Sequence, residues 1–358
     1  MPRILLLGWS SSIHVRSWAR ALRERGYEIT VITYDGFPID GVEVISLPKS
    51  RLGKAAYLRY LRVVKKHARQ IKPDLVHAFF VTSYGLWGSG VKGALGCPLI
   101  VTALGSDIVS SGLSVVFAPI IRRTLGRADA ITAPSEFLIS RVIEIDANAG
   151  SRATLIPFGI DFTRVEALKM SGKRDSGEVR FLFFKHLLEI YAPELLLRAF
   201  AGICERFPQA RLTLAGRGPL AGPLRELARQ LGVENKVSLP GYVAPERAYE
   251  FISDHDVMVM PTSVPEGFGM AALEAAALGL PVIASAHGAV SEIVAHGRNG
   301  LLFEPDDQSA LEDALVKMVA EERLRKDYGE AGRLIAREKF DWDRCVDKLE
   351  ALYSVLLS

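Results

Sequence analysis

Short apolar runs recur along the chain, and helical patterns fill the intervals between them. Arg3-Ile4-Leu5-Leu6-Leu7-Gly8 is a continuous apolar run, as in parallel strands covered on both faces. A polar loop at residues 9–12 leads into a segment with Val15, Trp18, Ala19 and Leu22 on one helical face, closed by Gly26. Further strands read at residues 27–33, 74–79, 99–103 and 130–133. After a stretch rich in Lys, Ser and Gly at 165–178, the pattern restarts with strands at 179–184, 211–215, 237–239, 257–260 and 281–284. Strands alternating with helices predict an α/β protein with parallel sheets. The 358 residues suffice for two domains, 1–164 and 179–342, joined by the 165–178 linker. A last helical pattern runs through Leu349, Leu352 and Leu356.

The first loop, GWSSSIH, lacks the Gly-x-Gly-x-x-Gly fingerprint of a dinucleotide-binding fold, which argues against a nicotinamide-dependent oxidoreductase. The most informative stretch lies at residues 261–285. Its helix carries Met270, Ala271, Ala272, Leu273, Ala275, Ala276, Ala277 and Leu278, so Glu274 is its one polar side chain. A helix apolar all round is normally buried, and a carboxylate within it costs several kcal/mol unless something hydrogen-bonds it. Ligand hydroxyls would do so, and so would a backbone donor. Just before the helix, Glu266-Gly267-Phe268-Gly269 adds a second carboxylate and two glycines, whose backbone N–H groups at a helix N-terminus suit an anion or a simple capped turn.

Composition adds limits. The three cysteines, Cys97, Cys204 and Cys345, are far apart, which argues against a disulfide framework and for a reducing, cytoplasmic compartment. No run approaches the ~20 apolar residues of a membrane span. Charge is uneven: the first 170 residues hold 22 Lys and Arg against 13 Asp and Glu, and the remainder 22 against 28. The excess concentrates between Lys49 and Lys72, where Arg51, Lys54, Arg59, Arg62, Lys65, Lys66 and Arg69 interleave with Tyr57, Leu58, Leu61, Val64 and Ala68. Such a basic amphipathic helix either lies on the inner face of an anionic membrane or is a surface helix with solvated charges. Nucleic acid is a poorer fit, because no binding motif accompanies the charge.

The stretch EGFGMAALEAAALGLPVIAS, with seven residues between Glu266 and Glu274, resembles the Glu-x7-Glu signature of retaining glycosyltransferases of the GT4 family. The resemblance covers most of the chain and implies the GT-B architecture, two Rossmann-like domains facing across a cleft. It implies that the C-terminal helix, about 343–358, crosses back onto the first domain. It places Ser11, Ser12 and His14 on the acceptor side, although His14 also reads as an ordinary helix-start residue. Leu104-Gly105-Ser106-Asp107 is similar to the family's His-Gly-Ser-Asp segment, with Leu104 in place of the His, and makes Asp107 a catalytic candidate or a helix cap. Lys185 stands where relatives end a strand in Arg, and Ile190 and Tyr191 occupy the place of a second cation, Lys. Gly216 and Arg217 follow the next strand, and Arg217 becomes the candidate for the second charge. The backbone of Gly241-Tyr242-Val243 would carry the nucleobase.

On this reading Glu274 holds ribose hydroxyls, and Glu266 holds the donor sugar. Lys185 and the N–H groups around Gly267, Phe268, Gly269 and Met270 neutralise the diphosphate. No cluster of histidines has ligand spacing, and no metal or other cofactor is expected. The expected reaction moves a sugar from a nucleoside-diphosphate sugar to a carbohydrate or lipid-linked acceptor with retention of configuration. The rivals are a nucleotide-sugar hydrolase or epimerase on the same fold and a non-catalytic binding protein.

Overall fold

The computed structural model describes residues 1–48, 56–109, 117–168 and 177–358. Lys49, Arg51 and Lys54 of the basic segment, the side chains of Tyr57 and Leu58, and linker residues 169–176 lie outside the described part. The chain divides into two units, Met1–Phe158 with Asp343–Ser358, and Gly159–Trp342. Residues 159–164, read from the sequence as the end of the first domain, therefore group with the second. The reason is local: Ile160 donates to the Phe340 carbonyl at 2.7 Å and accepts from the Trp342 N–H at 3.0 Å. A Cβ on Gly159 would lie 2.5 Å from the Trp342 Cα.

The first unit holds strands β1 (Arg3–Leu7), β2 (Glu28–Thr33), β3 (Glu43–Ser46), β4 (Leu75–Phe79), β5 (Leu99–Thr102), β6 (Ala130–Ala133) and β7 (Ala153–Leu155). They form one parallel sheet in the order β3-β2-β1-β4-β5-β6-β7. β1 and β4 are buried along almost their whole length, which explains their unbroken apolar runs. Buried polar residues of the sheet join up: His77 on β4, 1 % exposed, bonds Tyr353 Oη at 2.7 Å and Thr102 Oγ1 at 2.6 Å, and Thr102 reaches Thr132 Oγ1 at 2.6 Å. Tyr353 belongs to the helix Trp342–Leu357, so this buried chain ties the C-terminal helix to the first sheet. Burial pulls the His77 pKa down to about 3, and the ring is neutral.

The basic helix, Ala56–Ile71, turns Val64 and Ala68 fully into this core. It packs on the helix Tyr84–Leu95, where Gly90 leaves room for Leu61: a Cβ there would lie 2.3 Å from Leu61 Cδ1. The apolar face of the amphipathic helix is therefore occupied by its own domain. Arg59, Arg62, Lys66, Arg69 and Lys72 remain exposed. Among the described residues no helix is long and apolar enough to cross a membrane.

The second unit holds β8 (Val179–Phe184), β9 (Ala210–Ala215), β10 (Val237–Gly241), β11 (Val257–Met260), β12 (Val282–Ser285) and β13 (Gly300–Phe303). They are parallel, in the order β10-β9-β8-β11-β12-β13. The order reverses between β8 and β11, and ligands of such sheets bind outside the strand C-termini at that point. The loops leaving β8 and β11 carry Lys185 and Glu266.

Removing the Tyr353 hydroxyl leaves a buried histidine nitrogen without its partner, so Tyr353→Phe is expected to cost about 1–3 kcal/mol of stability. Chemical denaturation measures this, and an unchanged midpoint would show that the His77 chain contributes nothing.

Candidate functional site

The site of the second unit is built from close backbone approaches. Where β8 ends, the Lys185 N–H donates to Ala215 O at 3.1 Å and the Leu187 N–H to Arg217 O at 3.0 Å. Gly216, at φ +150°, and Gly218 make this crossing possible: a Cβ would fall 1.9 Å from the Lys185 carbonyl oxygen and 2.2 Å from that of Leu187. Glu266 is gripped in the same way. Its N–H donates to His287 O at 3.2 Å, its carbonyl accepts from the Ala289 N–H at 2.8 Å, and a Cβ on Gly288 would strike its backbone at 2.4 Å.

These two clamps bring the side chains together. The Lys185 ammonium forms an ion pair with Glu266 Oε1, and the two side chains are only 21 % and 12 % exposed. It also lies 4.4 Å from the ring centroid of Tyr191. Burial alone draws the Lys185 pKa from 10.5 to about 7. The carboxylate beside it is the group that offsets this and favours the charged form.

Eight residues on, Glu274 lies in the helix Met270–Ala277, with Ala272, Leu273, Ala275, Ala276 and Ala277 buried around it. Burial raises its pKa from 4.5 to about 7, and the positive charge of Arg164 opposes the rise. The helix opens at Gly269 in the left-handed region, φ +97°, with no side-chain cap and no acid in its first turn. Arg164 lies with its Cζ 5.2 Å over the Tyr249 ring, and burial and the Glu274 charge push the Tyr249 phenol up. Neither Arg164 nor Tyr249 is visible as a site residue in the sequence, because both sit outside the glycine-rich turns. The Gly241 turn, at φ +83°, exposes Tyr242 (57 %), whose ring carries the Arg217 guanidinium at 4.8 Å.

The first unit has its own loop constellation. Asp35 accepts from Ser10 Oγ at 2.6 Å, from the Ser10 N–H at 3.0 Å and from the Ser11 N–H at 2.8 Å. Burial opposes its charge, but these bonds and that from Thr33 outweigh it and hold the carboxyl well below the usual range. Asp35 thus shapes the 9–12 loop, and only its place after β2 could have marked it. Ser11 is exposed, the Ser12 hydroxyl makes no cap bond, and His14 stacks on Phe158 at 3.8 Å. Burial pulls His14 down to about 4, which leaves it neutral.

Asp107 is enclosed by backbone donors. It is 2 % exposed, and its oxygens accept the backbone N–H groups of Val81 (2.7 Å), Leu104 (3.1 Å) and Gly105 (3.0 Å). It staples the loops after β4 and β5. Asp254 and Asp256, and Asp341 and Asp343, have the Asp-x-Asp spacing of metal-dependent transferases. Asp256 accepts the Arg180 N–H at 2.9 Å, and no group of three or more His, Cys, Asp or Glu among the described residues is arranged to hold a metal ion.

A family model described as glycosyl transferases group 1 matches residues 165–335, and one described as glycosyl transferase 4-like matches residues 3–135. The chain is 28 % identical over 369 residues to a D-inositol 3-phosphate glycosyltransferase of Pseudarthrobacter chlorophenolicus, covering 93 % of this chain and 87 % of that protein. It is 25 % identical over 356 residues to the N-acetyl-alpha-D-glucosaminyl L-malate synthase of Bacillus anthracis, covering 93 % and 91 %. In fold it is similar to a sucrose-phosphate synthase from Thermosynechococcus elongatus (TM-score 0.84, 22 % identity, 99 % of each chain). It is also similar to Anabaena HepE, solved with UDP and glucose (TM-score 0.82, 19 % identity, 99 % and 100 %).

The raised Glu274 pKa has a signed consequence. Stability from its protonated form is present below about pH 4.5 and is lost as pH rises through about 7. Each pKa unit corresponds to about 1.4 kcal/mol, so Glu274→Gln should gain about 2–3 kcal/mol over the wild type between pH 5 and pH 8. Thermal melts of the free protein at the two pH values read this out, and parallel curves would refute the buried-acid assignment.

Proposed function

The chain belongs to the GT4 glycosyltransferases, enzymes of GT-B fold, and on that premise we propose that it transfers the sugar of a nucleoside-diphosphate sugar to an acceptor hydroxyl with retention of configuration. Glu274 carries this reading: a carboxylate held in an apolar helix is stabilised by ligand hydroxyls, and ribose offers an adjacent pair. Glu266 then hydrogen-bonds hydroxyls of the donor sugar and favours the positive charge that develops at the anomeric carbon. Lys185 and the uncapped N-terminus of the helix Met270–Ala277 neutralise the leaving diphosphate. The Gly241–Val243 turn, with Arg217 on Tyr242, receives the base.

The acceptor hydroxyl attacks the face from which the diphosphate departs, so no covalent carboxylate nucleophile is assigned. Ser11, Ser12 and the neutral His14 are the acceptor-side groups of the first unit. The donor class is supported by HepE, similar in fold and solved with UDP. The excess of exposed cations on the helix Ala56–Ile71 favours a lipid-linked or other membrane-surface acceptor. With Val64 and Ala68 committed to the core, that contact is electrostatic.

Thermal stability against UDP-, GDP- and ADP-sugars tests the donor reading. A ligand bound only to the folded state adds about 2.7 kcal/mol at a hundredfold excess over its Kd. A shift with one base, abolished in Glu274→Ala, is the expected result; no shift with any donor would sink the reading. Sedimentation with vesicles tests the membrane contact. Binding to anionic but not neutral vesicles is expected, lost at about 1 M salt, where the screening length is about 3 Å. It should also be lost on replacing Arg59, Arg62, Lys66 and Arg69 by Gln. Equal partitioning to both vesicle types would remove this contact.

A further inference from the structure

The short turn Glu189–Tyr191 is latched to the loop that carries Glu266. The Ile190 carbonyl accepts the Ser263 N–H at 3.0 Å and the Thr262 hydroxyl at 3.2 Å, and the Thr262 carbonyl accepts Ser285 Oγ at 2.6 Å. The residue after Tyr191, Ala192, adopts φ 47° and ψ 45°, a left-handed conformation that costs a non-glycine residue about 1–2 kcal/mol. Strain of this kind persists only where the surroundings over-determine the backbone, and it concentrates at functional positions. Here it aims the Tyr191 side chain. The ring meets the Lys185 ammonium at 4.4 Å, on the same cation that pairs with Glu266.

We propose that Tyr191 is a positioning residue of this site: its ring face keeps the Lys185 ammonium between Glu266 and the diphosphate of a bound nucleotide, so that one cation serves both anions in turn. The inference rests on the donor reading above. In the free protein Glu266 holds the ammonium. An arriving diphosphate carries more negative charge and competes for it. A half-buried lysine that leaves its carboxylate loses the interaction that offsets its desolvation. The ring face supplies an attraction that persists through the exchange, because it lacks the directional demand of a hydrogen bond. Glu266, released, becomes available to hydroxyls of the donor sugar. No covalent bond changes; the ammonium exchanges one anion for another.

The test uses UDP, GDP and ADP as probes, with calorimetry on the full chain. Tyr191→Leu is expected to weaken binding about 3–30-fold, the range of a partly desolvated cation–π contact, while Tyr191→Phe, which keeps the ring, restores most of it. In a Lys185→Met background Tyr191→Leu should have no further effect, because the two residues act as a unit. Equal losses in both backgrounds, or equal losses for Leu and Phe, would mean a purely structural role and overturn the proposal. Glu266→Gln should tighten diphosphate binding by freeing the ammonium; unchanged or weaker binding overturns the exchange. A readout without any nucleotide is the proton NMR of the Lys185 ε-methylene. An upfield ring-current shift is expected in the wild type and in Tyr191→Phe, and not in Tyr191→Leu. Its absence in the wild type overturns the ring contact alone, whereas failure of the wild type to bind all three probes overturns the donor reading and the exchange built on it.

Discussion

A lysine and a glutamate that share a site largely withdrawn from water must neutralise each other, and the second unit is arranged around that requirement. Lys185 and Glu266 leave different strands and meet only because their backbones are fixed from outside. Gly216 lets one loop lie against the Lys185 carbonyl, and Gly288 lets another lie against the Glu266 peptide. Each approach forbids a Cβ. The glycines therefore act through position, by allowing the carriers of two charges to be held rigidly. Rigid loops at the reversal of strand order provide the fixed electrostatic environment that group transfer needs.

Besides the ion-paired Glu266, three carboxylates wholly or partly withdrawn from water differ in what satisfies them. Asp35 and Asp107 are satisfied by backbone N–H groups and hydroxyls, and each organises the loop that satisfies it. Among the described residues Glu274 has no such cradle; its helix neighbours are alanines and Leu273, and the Arg164 charge opposes the rise in its pKa that burial causes. The contrast sets Asp107, enclosed by backbone donors, apart from Glu274, although both stood out as candidates in the sequence.

Much of this was legible in the residues. Fully buried strands such as β1 and β4 announce themselves by unbroken apolar runs, and the Glu274 helix by an apolar surface with one charge in it. The short edge strand β3, Glu43–Ser46, has a half-buried face and no such run, and it passes unnoticed. Site residues were readable where a turn demanded glycine, at Gly216, Gly241 and Gly269. Contacts that depend on tertiary approach were not. Position 191 reads as the loss of a cation, and only the fold shows an aromatic ring set against the cation that remains. Likewise the alternation of charge and apolar groups on the helix Ala56–Ile71 is compatible with water, lipid or core on its apolar side, and packing decides for the core.

The path of the chain through its first unit sets an order of events in synthesis. That unit begins at Met1 but is completed by Asp343–Ser358, after the whole of the second has been made. While the ribosome is still translating residues 159–342, the groove that will take the last helix has no occupant. His77 then waits with one ring nitrogen lacking Tyr353, and the charged groups of that helix that bind Arg25, Asp347 and Glu350, do not yet exist. Residues of the first unit thus reach their final surroundings only after residues 343–358 are made, and a chain released before then would carry an open apolar seam along that unit.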